Sequence, residues 1–222
     1  MENFEKIIKN NEKFNIFFDF LVDENKKFNL TSITEKNEVY EKHFLDSVQS
    51  RDLISDNSKI LDVGAGAGFP SIPLAILKEN CEFTLIDSLN KRINFLNELK
   101  NRLNLKNIQC FHTRIEDFAE KNREKFDFCI ARAVASLPTL LEYTAPFVKV
   151  GGKIIAYKGS NYEEELKNSL NAQTKLGVKL EKIENYTLPE CGQTRFLLIF
   201  SKISHCKEPY PRKNNKPRTN PL

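Results

Sequence analysis

Residues 62–70, Asp-Val-Gly-Ala-Gly-Ala-Gly-Phe-Pro, constrain this chain more than any other stretch. An apolar run ending in Ile60 and Leu61 leads into them and Ser-Ile-Pro-Leu-Ala-Ile-Leu follows, so the segment reads as strand, glycine turn and helix. A strand that stops at glycines lets a ligand lie against bare backbone, at the positive end of the next helix. Dinucleotide folds space these glycines as G-x-G-x-x-G, the third allowing close helix–strand packing. Here Gly64, Gly66 and Gly68 alternate, and Phe69 stands where the third glycine would fall. Asp62, two residues before the first glycine, suits a ligand with a cationic group better than a pyrophosphate.

A second strand follows at 83–87, alternating and apolar, and ends in Asp87. Asp87 lies 23 residues after Gly64, close to the roughly 20 expected of an acid that holds a ribose diol. It can equally cap the next helix, since 90–103 has helical spacing at Ile93, Leu96, Leu99 and Leu103. Strands are then expected at 108–112, 126–131 and 151–157, with a helix over 137–148 kinked or divided at Pro146. A helix over 161–176 precedes two β-rich runs, 178–186 and 195–203. Those need no crossover and should form an antiparallel hairpin. Such alternation points to an α/β doubly wound sheet.

Residues 1–57 have no glycine or proline and read as a helical extension. Phe4, Ile7, Ile8, Phe14, Phe17, Phe18 and Leu21 recur at helical spacing, so one face should pack on the main domain. Ser32 and Glu35 make a capping box for a helix carrying His43, which reads as a buried, hydrogen-bonded histidine. The expected division is 1–57 as a helical cap, 58–206 as the ligand-binding domain and 207–222 as a tail.

The tail holds five cations and one anion, which is the whole net charge of +4. Its four prolines argue against a helix and for extended backbone. Extended cations around Tyr210 suit a polyanion such as RNA, so the tail is expected to grip phosphate and leave the ligand site alone; packing of Pro209, Tyr210 and Pro211 on the domain is the rival. The five cysteines are scattered with no Cys-x-x-Cys pair, which argues against a zinc site or disulfide framework and fits a reducing compartment. No stretch is apolar and long enough to span a bilayer, and the charged start, Met-Glu-Asn-Phe-Glu-Lys-Ile, is unlike a leader.

The glycine pattern resembles the first motif of class I S-adenosylmethionine (SAM) methyltransferases. A narrower resemblance rests on six motifs in order: 29–33 (Asn-Leu-Thr-Ser-Ile), 43–47 (His-Phe-Leu-Asp-Ser), 62–70, 114–118 (Arg-Ile-Glu-Asp-Phe), 131–133 (Ala-Arg-Ala) and the tail's Tyr-Pro-Arg with Pro221-Leu222. Together they resemble the glucose-inhibited division protein B family of bacterial ribosomal RNA small-subunit methyltransferases. The resemblance implies a Rossmann-like, seven-stranded, mostly parallel sheet with a terminal antiparallel hairpin and an N-terminal helical extension. It implies SAM as cofactor and methyl transfer to N7 of one guanine in 16S ribosomal RNA, in the cytoplasm. The implied partner is that RNA or the small-subunit particle, met by a monomer, with no membrane.

By motif, the implied cofactor residues are Gly64, Phe69, Ile115, Glu116 and Arg132, beside Asp62, Gly66 and Asp87 from the strand ends. Ile115 can instead be core and Glu116 a first-turn helix charge. The tail departs from the family at Asn214 and Asn215, where a glycine-containing turn is expected. Guanine N7 presents a free lone pair, so no general base is expected and no catalytic residue is assigned. An NAD-dependent oxidoreductase, a non-enzymatic RNA-binding protein and a methyltransferase for another acceptor remain the alternatives.

Overall fold

A computed structural model describes residues 4–222; Met1, Glu2 and Asn3, the first part of the charged start, lie outside the described residues. Seven strands form one sheet in the order β3-β2-β1-β4-β5-β7-β6. They are β1 (Lys59–Val63), β2 (Glu82–Asp87), β3 (Ile108–His112), β4 (Phe126–Arg132), β5 (Val148–Lys158), β6 (Val178–Thr187) and β7 (Thr194–Lys202). The first five run parallel, and β7 pairs antiparallel with both β5 and β6. Strand order reverses between β1 and β4, and in open α/β sheets such a switch point opens a crevice at the strands' carboxyl ends.

The central strands are apolar on both faces because both faces are covered. Alternate residues of β1 and β4 divide between two cores. On one face, Ile60 and Ile130 join residues of α5 (Ser71–Leu77) and α6 (Asn90–Arg102), with Phe14, Phe17, Phe20 and Leu21 of α2 (Glu12–Asn25) and Ile8 of α1 (Phe4–Asn10). On the other, Leu61 and Cys129 meet Ala119 of α7 (Ile115–Asn122) and residues of α8 (Leu137–Thr144) and α10 (Leu170–Leu176). The helical extension therefore packs its apolar face on the sheet domain. Phe20 is buried there too, stacked on Phe95 at 5.1 Å.

Several local expectations change. Asn11 caps α2 by accepting from the Lys13 N–H at 3.0 Å, so the first helical stretch is split. The Ser32–Glu35 capping box does not form: α3 (Lys36–Val39) starts after Glu35 with no side-chain cap. Asn25 serves that loop instead, its Oδ1 accepting from the Leu30 and Thr31 N–H groups. From α3 the chain passes into a π-helix, Tyr40–Leu45, and then α4 (Asp46–Val48). α8 gives way to a 3-10 turn, Ala145–Phe147, at Pro146, as expected of a residue that cannot continue a helix. The 161–176 helix is two, α9 (Tyr162–Asn168) and α10, because the Ser169 hydroxyl bonds the Leu166 carbonyl at 2.7 Å. The tail is not extended. It contains a short helix, α11 (Lys216–Thr219), which Pro217 can begin because a first-turn N–H is not needed.

Candidate active site

The glycine turn folds through three left-handed residues: Gly64, Gly66 and Gly68 have φ of +72°, +57° and +92°. A Cβ on Gly64 would meet Val134 Cγ2 at 3.3 Å, and one on Gly68 would meet Ile72 Cγ1 at 2.5 Å. Gly68 thus permits the close helix packing that a dinucleotide fold assigns to its third glycine. Asp87 holds the turn from β2. Its Oδ2 accepts from the Gly66 N–H at 3.0 Å and faces Arg92 Nη1 at 3.3 Å, while Oδ1 accepts from the Leu89 N–H at 2.9 Å. Helix α6 begins after Leu89 with no side-chain cap, so Asp87 braces the turn rather than capping the helix.

Above the turn lies a cleft of about 570 Å³, within the roughly 300–1,000 Å³ of small-molecule sites. Gly64, Asp87, Ile115 and Glu116 all line it. Arg92 and Tyr143, which sequence reasoning did not single out, line it too, as do Asn215 and Arg218 of the tail, which was expected to leave the ligand site alone. Ala133 and Val134, just past β4, form one side, and Ala133 is left-handed at φ +55°. A non-glycine residue held there carries strain of the kind that clusters at functional sites.

The other four predicted residues lie around this cleft without lining it. Gly66 faces Asp87. Asp62 is 1% exposed beneath the turn, next to Ser71, and among the described residues neither its carboxylate oxygens nor the Ser71 hydroxyl closes a hydrogen bond of ordinary geometry. Burial pushes the Asp62 carboxyl up to about 7, opposed by the nearby Ser71 and Arg132. The Phe69 ring is 7% exposed and stacks on Phe17 at 5.1 Å and on His43 at 4.5 Å. The Arg132 guanidinium sits 5.0 Å from the Phe69 ring centre and turns toward the π-helix, not toward the glycine cleft.

There Arg132 borders a second, broader cleft of about 970 Å³. Buried Asp46 is its hub: Oδ2 accepts from Arg132 Nη1 at 2.7 Å, Oδ1 accepts from the Tyr186 hydroxyl at 2.7 Å, and Arg195 Nε lies 3.8 Å away. His43 Nδ1 lies 3.2 Å from Arg132 Nη2 and Nε2 lies 2.8 Å from Thr31 Oγ1. Nδ1 also lies 3.2 Å from the Lys42 carbonyl, so it stands between a donor, Arg132, and an acceptor, and Thr31 can either donate to or accept from Nε2. Burial, with the Arg132 charge, pushes His43 down to about 3, so the ring is neutral. It is hydrogen-bonded, as expected from its apolar stripe, but half-buried, on the wall of the second cleft. Lys42 and Lys158 add charge to this cleft, and Ala133 and Val134 line it as well as the first. In sequence, Asp46 stood three residues after His43 in a recognised motif, but nothing local pointed to Tyr186 or Arg195.

The tail docks on the second core. Arg212 makes a bidentate pair with Glu142, which is fully buried. Thr139 Oγ1 donates to the Pro217 carbonyl at 2.6 Å, Arg123 donates to the Tyr210 and Cys206 carbonyls, and Lys213 pairs with Glu120 at 2.9 Å. Pro211 and Pro217 are buried. This is the rival expectation, packing back on the domain, in part: Pro211 is buried and Tyr210 half-buried, while Pro209 stays exposed. Asn214 and Asn215 take φ of +61° and +58°, so asparagine occupies the left-handed turn where glycine was expected.

The profile of the family described as GidB, rRNA small subunit methyltransferase G, matches residues 10–195. Ribosomal RNA small subunit methyltransferase G of Streptococcus pyogenes serotype M4 is 46% identical over 226 residues, covering 100% of this chain and 95% of its own. Among solved structures, TYW2 of M. jannaschii in complex with AdoMet has a TM-score of 0.58 at 19% identity, covering 78% of this chain and 80% of that one. A SAM-dependent methyltransferase from Aquifex aeolicus has a TM-score of 0.56 at 17% identity, covering 82% and 98%. The two structural likenesses bear on fold alone; the sequence matches extend over nearly the whole chain. The chain belongs to the ribosomal RNA small subunit methyltransferase G family, GidB.

Proposed function

We propose that this chain transfers a methyl group from SAM to N7 of one guanine in 16S ribosomal RNA. The observation that carries this reading is the meeting of two clefts at Ala133 and Val134, one over the glycine turn and one lined by four cations and three acids. The first suits the cofactor. Gly64 offers bare backbone, and Asp87, with three of its roughly four acceptor sites used within the protein, keeps one for a ribose hydroxyl. Ile115 and Glu116 take the adenine end. Gly66, Asp62 and Phe69 act from behind, shaping the turn and tying it to the helical cap. Bound SAM supplies an electrophilic methyl on a sulfonium.

The second cleft takes the RNA. Lys42, Lys158, Arg132 and Arg195, each paired with a carboxylate within the protein, exchange part of that pairing for phosphate, and Arg132, held by Asp46, stands between target base and turn. Guanine N7 has no proton to lose, so no residue need act as base. His43 fits that role-free chemistry: both its ring nitrogens are engaged within the protein, by Arg132, the Lys42 carbonyl and Thr31. Rate then comes from aligning N7 with the methyl and excluding water. Residues 1–57 act as cap, 58–206 as SAM-binding domain and 207–222 as tail, in a monomer working on the RNA or the small-subunit particle in the cytoplasm.

Equilibrium dialysis with SAM and NAD, followed by transfer of labelled methyl to ribosomal RNA, tests the reading. SAM retention and label in RNA are expected. NAD retention, or label only in protein, would favour the alternatives.

A further inference from the structure

The tail was expected to leave the ligand site alone, yet two of its residues stand in the wall of the glycine cleft. Arg218 Nη2 donates to the Val134 carbonyl at 3.1 Å, and Val134 is the residue a Cβ on Gly64 would strike. That bond uses one of the five N–H donors of a guanidinium. Arg218 also adjoins the Tyr143 hydroxyl, and Tyr143 and Glu116 line the same cleft. The side chain is held from below. Arg212 is clamped to buried Glu142, Pro217 is tied to Thr139, and the left-handed pair Asn214–Asn215 turns the chain back toward the cleft. Three features of the tail thus place one cation in the wall of a cleft otherwise built from strand ends and from residues of α6, α7 and α8.

We propose that Arg218, with Asn215, belongs to the cofactor site, and that the folded tail is a strap completing it at the purine-nucleoside end. The proposal rests on the reading of this cleft as the SAM site. The spare guanidinium donors and its flat face suit the ring nitrogens and π-face of adenine, a role a lysine cannot fill. The tail then does not serve RNA alone: loss of the strap weakens cofactor binding before any RNA is present. Lys207 and Lys216 line no part of this cleft, so they form an internal contrast within the same tail.

The test is calorimetric titration of the full chain with SAM and with S-adenosylhomocysteine, without RNA, for the wild type, Arg218→Gln, Arg218→Lys and the double variant Lys207→Gln, Lys216→Gln. Melting temperature is measured for each. Arg218→Gln and Arg218→Lys should both weaken both ligands by roughly ten- to a hundredfold, the worth of a charge-assisted hydrogen bond, with melting nearly unchanged. The double variant should bind like the wild type. If wild-type chain bound neither ligand, the reading of the cleft would fail. If the wild type bound and both Arg218 variants bound equally well, the cleft would stand and the strap would be overturned. Equal weakening in the lysine double variant would also overturn it, because a general charge effect would then suffice.

Discussion

Gly68 carries a constraint that Gly66, two residues earlier, does not. Both are left-handed, which costs an alanine roughly 1–2 kcal/mol, but only Gly68 faces another side chain at 2.5 Å. Overpacking adds about 1–3 kcal/mol. Gly68→Ala should therefore lose clearly more stability than Gly66→Ala in urea unfolding; equal losses would mean that α5 gives way freely. Asp62 and His43 predict opposite pH effects. Asp62, raised from 3.8 to about 7, keeps a proton in the folded chain that the unfolded chain has released. Stability from this group is thus lost as pH rises from about 4 to 7, on the order of 4 kcal/mol in full. Asp62→Asn should gain on the wild type between pH 4 and pH 8 in melting experiments, and a pH-independent difference would contradict a carboxyl whose burial outweighs Ser71 and Arg132. His43, lowered from 6.5 to about 3, refuses a proton that the unfolded chain accepts, so its contribution is lost as pH falls from 6.5 toward 3. His43→Gln should flatten that acid limb.

The tail shows why an element can be misread from composition. Charge and prolines were visible in 207–222, but the partner of Arg212 is Glu142, 70 residues earlier on an apolar helix. No local pattern marks that pairing. Removing Arg212 leaves a buried carboxylate unpaired, which costs roughly 3–5 kcal/mol. Arg212→Ala should lower the melting temperature by on the order of 10 °C in a chain of this size, whereas Lys213→Ala, whose partner Glu120 is exposed, should change it little. A small shift for Arg212→Ala would mean the tail is loosely held. The strands, by contrast, were legible to within a few residues, because alternation and glycine turns are local signals. The failed capping box had the right letters but lost to Asn25, which reached the loop from the preceding helix. The π-helix was illegible, since its residues have ordinary helical spacing, yet it sets His43 and Asp46 against Arg132.

At the scale of the molecule, three distant segments meet at the carboxyl end of β4. The cap sends Asp46 and His43, the terminal hairpin sends Tyr186 and Arg195, and the tail sends Arg218. Gly64, Asp87, Ile115 and Glu116, named from their motifs, line one cleft because each sits beside a strand end. Motif recognition did not find that Arg132 faces the neighbouring cleft, because direction depends on Asp46, 86 residues away. Two clefts sharing Ala133 and Val134 make sense for a reaction in which cofactor and base must meet at one point. The central claim is that this meeting delivers a methyl to guanine N7. Its most direct measurement is mass spectrometry of nuclease-digested 16S ribosomal RNA, from cells with the intact chain and from cells lacking it. A single 7-methylguanosine should be present in the first and absent from the second, and should return with the wild type but not with Gly64→Val. Identical methylguanosine maps from the two sets of cells would contradict the account.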